Sequence, residues 1–198
     1  MCTAFVLIDC TLLYDIFGVT LMLEIKSINP EHKKAFKALY RSSFPDSERK
    51  PYYLMKYWQM CGKMELYELS DGDKFCGLFI TVICGELVLV DYLAVCPEMR
   101  GRGVGSKALE LAREKYRGKR LFLEIETTEK ACEDLELRLK RKNFYLKNGL
   151  SPCGFSVNLF GVEMEILAFD KKITYDEYMK LYCYMAGRLL KLKIELIN

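Results

Sequence analysis

Residues 86–117 constrain this chain more than any other stretch. An apolar run, Glu86-Leu-Val-Leu-Val-Asp-Tyr-Leu-Ala-Val95, gives way to the turn Cys96-Pro-Glu-Met-Arg-Gly-Arg-Gly-Val-Gly-Ser-Lys107. The run is short, rich in Val and Leu, and almost unbroken in apolar character, which predicts a strand covered on both faces. Past the turn, Val104, Ala108, Leu111 and Ala112 recur at helical spacing, while Lys107, Glu110, Glu114 and Arg117 share the other face. The turn therefore lies where a strand hands over to a helix. Three glycines free the backbone to aim several N–H groups at one point, the helix start adds positive potential, and Arg100 and Arg102 add charge. Such a turn is an anion cradle, and a phosphate-bearing ligand is its natural guest.

Glycine spacing narrows the choice. A Walker A loop requires Gly, four residues, then Gly-Lys-Ser/Thr, and no such frame can be drawn, because Lys107 follows Ser106. This weakens a nucleotide triphosphatase reading. A dinucleotide fingerprint starting at Gly101 or Gly103 would need its third glycine at Ser106 or Ala108, and neither is glycine.

The chain has 198 residues, enough for one domain with a real core. Its formal charge of +3 is too small to point to nucleic acid. Nine scattered cysteines include no Cys-x-x-Cys pair, and their odd number suggests reduced thiols and a cytoplasmic protein. With His32 the single histidine, neither a histidine triad nor a multi-histidine metal site can be built, so no metal is expected. Residues 1–21 are apolar, but Asp9 and Asp15 interrupt them and no Lys or Arg precedes the apolar part. They make a poor signal peptide and a poor membrane span, and read as an extension of uncertain status.

Around the central unit the pattern predicts a strand from Met22, a helix from Pro30 to about Ser43, and a charged turn, Pro45 to Pro51, leading to a helix through Met60. Met64–Leu69, Phe75–Cys84 and Leu87–Val95 read as an antiparallel meander turning at Asp71-Gly72 and Gly85. Leu121–Glu126 alternates, with Leu121, Leu123 and Ile125 on one face and Phe122, Glu124 and Glu126 on the other. A helix is expected over 131–148 with Leu135, Leu139 and Leu146 inward and Gly149 closing it, then a hairpin turning at Gly161. Thr174-x-x-Glu177 is a capping box for a last helix reaching about Leu192, with Tyr175, Tyr178, Tyr182, Met185 and Leu189 as its apolar stripe.

What fits the turn is Arg100-x-x-Gly103-x-Gly105, and downstream stands Phe144-Tyr-Leu-Lys-Asn-Gly-Leu150. In both, over about residues 22–169, the chain resembles the GNAT superfamily of N-acetyltransferases, with Leu150 in place of the usual Phe. The resemblance implies an α/β (α+β) fold. Its mixed central sheet would have six to seven strands, an antiparallel meander and a splayed parallel pair, Leu87–Val95 and Leu121–Glu126. Helices would flank the sheet, and 170–198 would add a C-terminal helical extension. It also implies acetyl-CoA as co-substrate, its pyrophosphate held by Arg100, Gly101, Arg102, Gly103, Val104, Gly105 and Ser106 and its pantetheine by the backbone of Leu93, Ala94 and Val95.

An ammonium has no lone pair, so an amine acceptor must lose a proton before it attacks. The resemblance makes Glu124 the leading base, and a carboxylate enclosed by apolar walls gains the raised pKa a base needs. The alternative for Glu124 is a solvated rim carboxylate. The resemblance casts Tyr145 as the acid that protonates the departing thiolate, a role open to a phenol that stays protonated at neutral pH. Asp91 and Glu126 would add negative charge suited to a cationic acceptor. Where many relatives carry an Asn about two turns before the tyrosine, this chain has Arg138. Two readings follow: an acetyltransferase acting on a small-molecule or peptide amine, or an acyl-CoA-binding module of the same fold without turnover. Either would be a monomer or homodimer that binds neither nucleic acid nor membrane.

Overall fold

The computed structural model describes residues 21–46, 48–128, 134–187 and 194–197. The expectations for residues 1–20, for the start of the helix near 131 and for Leu189 to Leu192 lie outside them. In chain order the described elements are β1 (Leu23–Ser27), a 3-10 turn at Pro30–His32, α1 (Lys33–Ser43), α2 (Tyr52–Met60), β2 (Met64–Asp71), β3 (Lys74–Cys84) and β4 (Leu87–Val95). After these come α3 (Val104–Lys115), β5 (Arg120–Glu126), α4 (Leu135–Lys147), β6 (Leu150–Leu159), β7 (Val162–Phe169), α5 (Tyr175–Ala186) and β8 (Ile194–Ile197).

The strands form one sheet in the order β1-β2-β3-β4-β5-β7-β6-β8. Every neighbouring pair is antiparallel except β4 and β5. A parallel pair needs a crossover helix, and α3 supplies it. Eight strands replace the expected six to seven, because the chain beyond α5 returns as β8 and pairs Ile194–Ile197 with Ser156–Leu159 of β6. The C-terminal extension is thus a helix followed by a strand. Its four residues, Ile-Glu-Leu-Ile, are too few to announce a strand on their own.

The strand that feeds the glycine turn is buried at all nine positions, as its apolar run demands. The turn into β3 has Gly72 at φ 57° and the turn into β4 has Gly85 at φ 60°, conformations that glycine adopts without strain. The Thr174 capping box is complete, with both reciprocal hydrogen bonds present. His32 is structural. Its Nδ1 lies 3.0 Å from Oε1 of the fully buried Glu68, whose Oε2 accepts the Asn29 N–H, tying the start of the first helical segment to β2.

The inward face of α4 differs from the one its apolar pattern predicts. In α4, Leu139 and Leu146 are 41% and 38% exposed, whereas Arg141 and Tyr145 are buried. The inward position goes to a charged residue because Arg141 finds a partner there: its guanidinium donates to Glu126 Oε2 at 2.9 Å. Pairing offsets the desolvation that would otherwise exclude it.

Candidate functional site

The β4/β5 ladder runs from Leu87 opposite Arg120 to Val90 opposite Leu123 and stops, although β4 continues to Val95 and β5 to Glu126. A bulge starts the divergence. Against β3, Tyr92 pairs with Ile80 and Val90 with Thr81, so Asp91 is the extra residue. Bulges bend and re-aim a strand, and this one leaves a gap whose first two residues are Asp91 and Glu124. Leu93, Ala94 and Val95 pair with β3 on one edge and present the other to the gap.

The glycine turn follows directly. Gly101 and Gly103 sit at φ 70° and 73°. A Cβ at Gly103 would meet nothing within 4 Å, so its requirement is the dihedral and not space. The first α-helical bond is Lys107 N–H to Gly103 O at 2.9 Å, which leaves the N–H groups of Val104, Gly105 and Ser106 without an intrahelical partner. Arg100 Nε donates to Val95 O at 3.2 Å, fixing the end of β4 to the turn, while Arg102 projects into solvent. Backbone donors and the helix dipole meet at one helix start with the exposed Arg102 two residues before it, which is the donor chemistry a diphosphate takes.

The other side of the gap is polar and closed. The loop after α1 lies over the bulge, fixed by Tyr92 OH donating to Glu48 O at 2.7 Å, Lys50 N–H donating to Tyr92 OH at 3.3 Å and Tyr40 OH donating to Lys50 O at 3.2 Å. Tyr92 also meets Tyr40 and Phe44 edge-on, with centroids 5.0 and 4.8 Å apart. This arrangement lays the Lys50 ammonium on both oxygens of the buried Asp91, at 2.7 and 2.9 Å. Across the gap, Glu124 is 2% exposed and its Oε1 accepts the Tyr182 hydroxyl of α5 at 2.7 Å. Burial pushes its pKa above the usual carboxylate range; Tyr182 and then Tyr178 oppose the rise, Asp91 adds to it and Lys50 subtracts.

The model of the acetyltransferase (GNAT) family matches residues 33–137, more than half of the chain. The chain belongs to the GNAT family. The GNAT fold also appears in its solved neighbours. A GNAT-family protein from Bacteroides thetaiotaomicron superposes with a TM-score of 0.69 at 21% identity, covering 83% of this chain and 99% of that one. A Bacillus subtilis acetyltransferase solved with CoA gives 0.56 at 15% identity, covering 77% and 99%. An aminoglycoside 6'-N-acetyltransferase solved with coenzyme A gives 0.58 at 17% identity, covering 73% and 95%. No curated protein sequence matches the chain.

Within this GNAT frame, Tyr145 is 2% exposed in the last turns of α4. Burial drives its phenol pKa well up, with the Arg141 charge pulling partly back, so it stays protonated at neutral pH. Asp91 and Glu126 are not brought together. Asp91 is paired with Lys50, and Glu126 is clasped by Arg138 at 3.0 Å and Arg141 at 2.9 Å, tying the end of β5 to α4. The position where many relatives have Asn is therefore an ion-pair residue. Sequence reasoning missed Lys50 and Tyr182. The capping box and tyrosine stripe announced α5, but nothing local to it signalled that Tyr182 would meet a carboxylate on β5. Among the described residues no cluster of His, Cys, Asp or Glu can hold a metal, and no helix is long and apolar enough to cross a membrane.

Proposed function

We propose that the protein transfers the acetyl group of acetyl-CoA directly to a primary amine through a tetrahedral intermediate. One observation carries this reading: the β4/β5 ladder ends at Val90 and Leu123, and the same β4 strand runs past that gap into the glycine turn. A ligand whose diphosphate lies on Val104 to Ser106 then has its acyl arm along Leu93, Ala94 and Val95, aimed at Asp91 and Glu124.

The turn residues Arg100 to Ser106 hold and orient. Glu124, its pKa raised by burial, takes the proton from the acceptor ammonium. Nitrogen attacks the thioester carbonyl carbon, and as the intermediate collapses the C–S bond breaks with its electron pair on sulfur. Tyr145 supplies the proton to that sulfur, and its phenol is restored by the second proton leaving the nitrogen, so the products are the neutral amide, free thiol and the proton held by Glu124. Glu126 acts as a tie between β5 and α4. Asp91 receives the acceptor's cation only when Lys50 yields its place, which favours acceptors with a second positive charge, such as a polyamine, an aminoglycoside or a lysine-like amine.

A second reading is supported by the closed state of the mouth, where Tyr182 already holds Glu124 and Lys50 already holds Asp91. In that reading the chain binds acyl-CoA without turnover. Release of free thiol from acetyl-CoA, followed over a panel of mono- and polyamines, separates the two. Amine-dependent release is expected; binding of coenzyme A with thiol release no faster than buffer for every amine would select the binding module.

A further inference from the structure

A primary amine already stands at the mouth of the gap. The backbone of Lys50 is held on the bulge by two tyrosine hydroxyls, and its Nζ rests 2.7 and 2.9 Å from the oxygens of Asp91 and 4.9 Å from the Tyr92 ring centroid. Asp91 is the first β4 residue beyond the ladder, so an acyl arm lying along Leu93 to Val95 as proposed would end toward this ammonium. The Lys50 side chain is only 19% exposed and its Asp91 partner is fully buried, which makes this a placed amine rather than a wandering surface lysine. Proximity of this kind turns a bimolecular reaction into a unimolecular one.

We infer that Lys50 is itself an acetyl acceptor, modified within its own chain by acetyl-CoA bound in the glycine turn. The inference rests on the acetyltransferase reading and adds to it a modification site. The Lys50 ammonium first yields one proton to Asp91, which passes it to solvent. The freed lone pair forms the N–C bond at the thioester carbonyl. The C–S bond then breaks with its electrons on sulfur, and the second nitrogen proton balances the thiolate as free thiol. The products are Nε-acetyl-Lys50, coenzyme A and one released proton. Acetylation removes the positive charge from Asp91 and so opens that carboxylate to an external cation.

The test incubates the full chain with acetyl-CoA labelled in its acetyl group and maps the label by peptide mass spectrometry. Lys50 is expected to gain label at least about tenfold faster than the exposed Lys140, at a rate independent of chain concentration. Lys50→Arg, which keeps the charge on Asp91, should abolish that fast phase while leaving the heat of coenzyme A binding intact. Gly103→Val, which disturbs the cradle, should slow Lys50 labelling in parallel with weakened binding. Labelling of Lys50 no faster than Lys140, a rate proportional to chain concentration, or labelling undiminished in Gly103→Val would each overturn the inference. A chain that binds coenzyme A and acetylates free amines yet leaves Lys50 unmodified overturns it alone; a chain that gives no binding heat overturns the acetyltransferase reading with it.

Discussion

The two sides of the β4/β5 gap are built from different materials. On the side proposed for the cofactor, Gly101 to Ser106 offer backbone N–H groups from one continuous segment, with Gly101 and Gly103 at positive φ. On the side proposed for the acceptor, Lys50, Asp91, Glu124 and Tyr182 come from four separate segments and are engaged in two pairs, Lys50 with Asp91 and Tyr182 with Glu124. A ligand common to a whole family can be gripped by main chain, which tolerates drift in every side chain except glycine. An acceptor particular to one protein has to be recognised by side chains that distant segments bring together.

The largest effect is expected from Tyr145→Phe. Removing one hydroxyl from a buried ring leaves packing nearly unchanged, so coenzyme A should bind with the same heat. Amine-dependent thiol release should fall by about 100-fold or more, the range for loss of a general acid. A rate equal to that of the parent chain would remove Tyr145 from the chemistry.

Next in size is Gly77→Ala, on β3 opposite Val95. A Cβ there would lie 2.4 Å from Ala94 O, 3.1 Å from Leu69 Cδ1 and 3.3 Å from Val95 Cα. The nearest atom is backbone and cannot rotate away, so β4 must shift where it faces the acyl arm. A stability loss of about 1–3 kcal/mol is expected in denaturant unfolding, with weaker coenzyme A binding alongside it. Binding unchanged in a destabilised variant would mean that Leu93 to Val95 do not carry the acyl arm.

Smaller again is Gly103→Val. Forcing a β-branched residue to φ 73° costs roughly 1–3 kcal/mol, and the turn relieves it by moving its N–H groups. Coenzyme A affinity should drop about tenfold or more by calorimetry. Gly62 has a similar φ of 68° in open space after α2, so Gly62→Val should cost stability and leave affinity untouched. Equal effects on affinity would dissolve the distinction between a cradle and a mere turn.

The same contrast explains what could be read from sequence. The strand, turn and helix around Gly103 were legible because their chemistry is local: periodicity, glycine and the helix start all lie within 86–117. The meander and the Thr174 cap were legible for the same reason. The inward face of α4 was not. Leu139 and Leu146 outrank Arg141 on any apolar scale, and only Glu126, fifteen residues away on β5, makes burial of that arginine possible. Lys50 gave no signal either, since a lysine in Pro45 to Pro51 looks solvated until the Asp91 bulge is folded beneath it. Long-range polar pairs were the missing information, and the acceptor side is made of them.

The smallest expected effect tests whether that polar side is tuned. Tyr182 lowers the Glu124 pKa from where burial alone would set it, so Tyr182→Phe should raise it further. If Glu124 is the base, it must be ionised to work, and the low-pH limb of the rate profile should move to higher pH. Stability follows the same sign. A carboxyl whose folded pKa exceeds its unfolded value, near 4.3 by reference, binds more protons when folded; the stabilisation is full below the unfolded value and is lost as pH rises through the folded one. Tyr182→Phe extends that window upward and should cost about 1 kcal/mol more above it than below, read as melting temperature against pH. Glu124→Gln carries no titrating proton and should flatten the same curve. A pH–rate limb that stays in place in Tyr182→Phe, while the melting curve shifts as described, would keep Glu124 as a buried structural carboxyl and pass the base role to a group outside this pair.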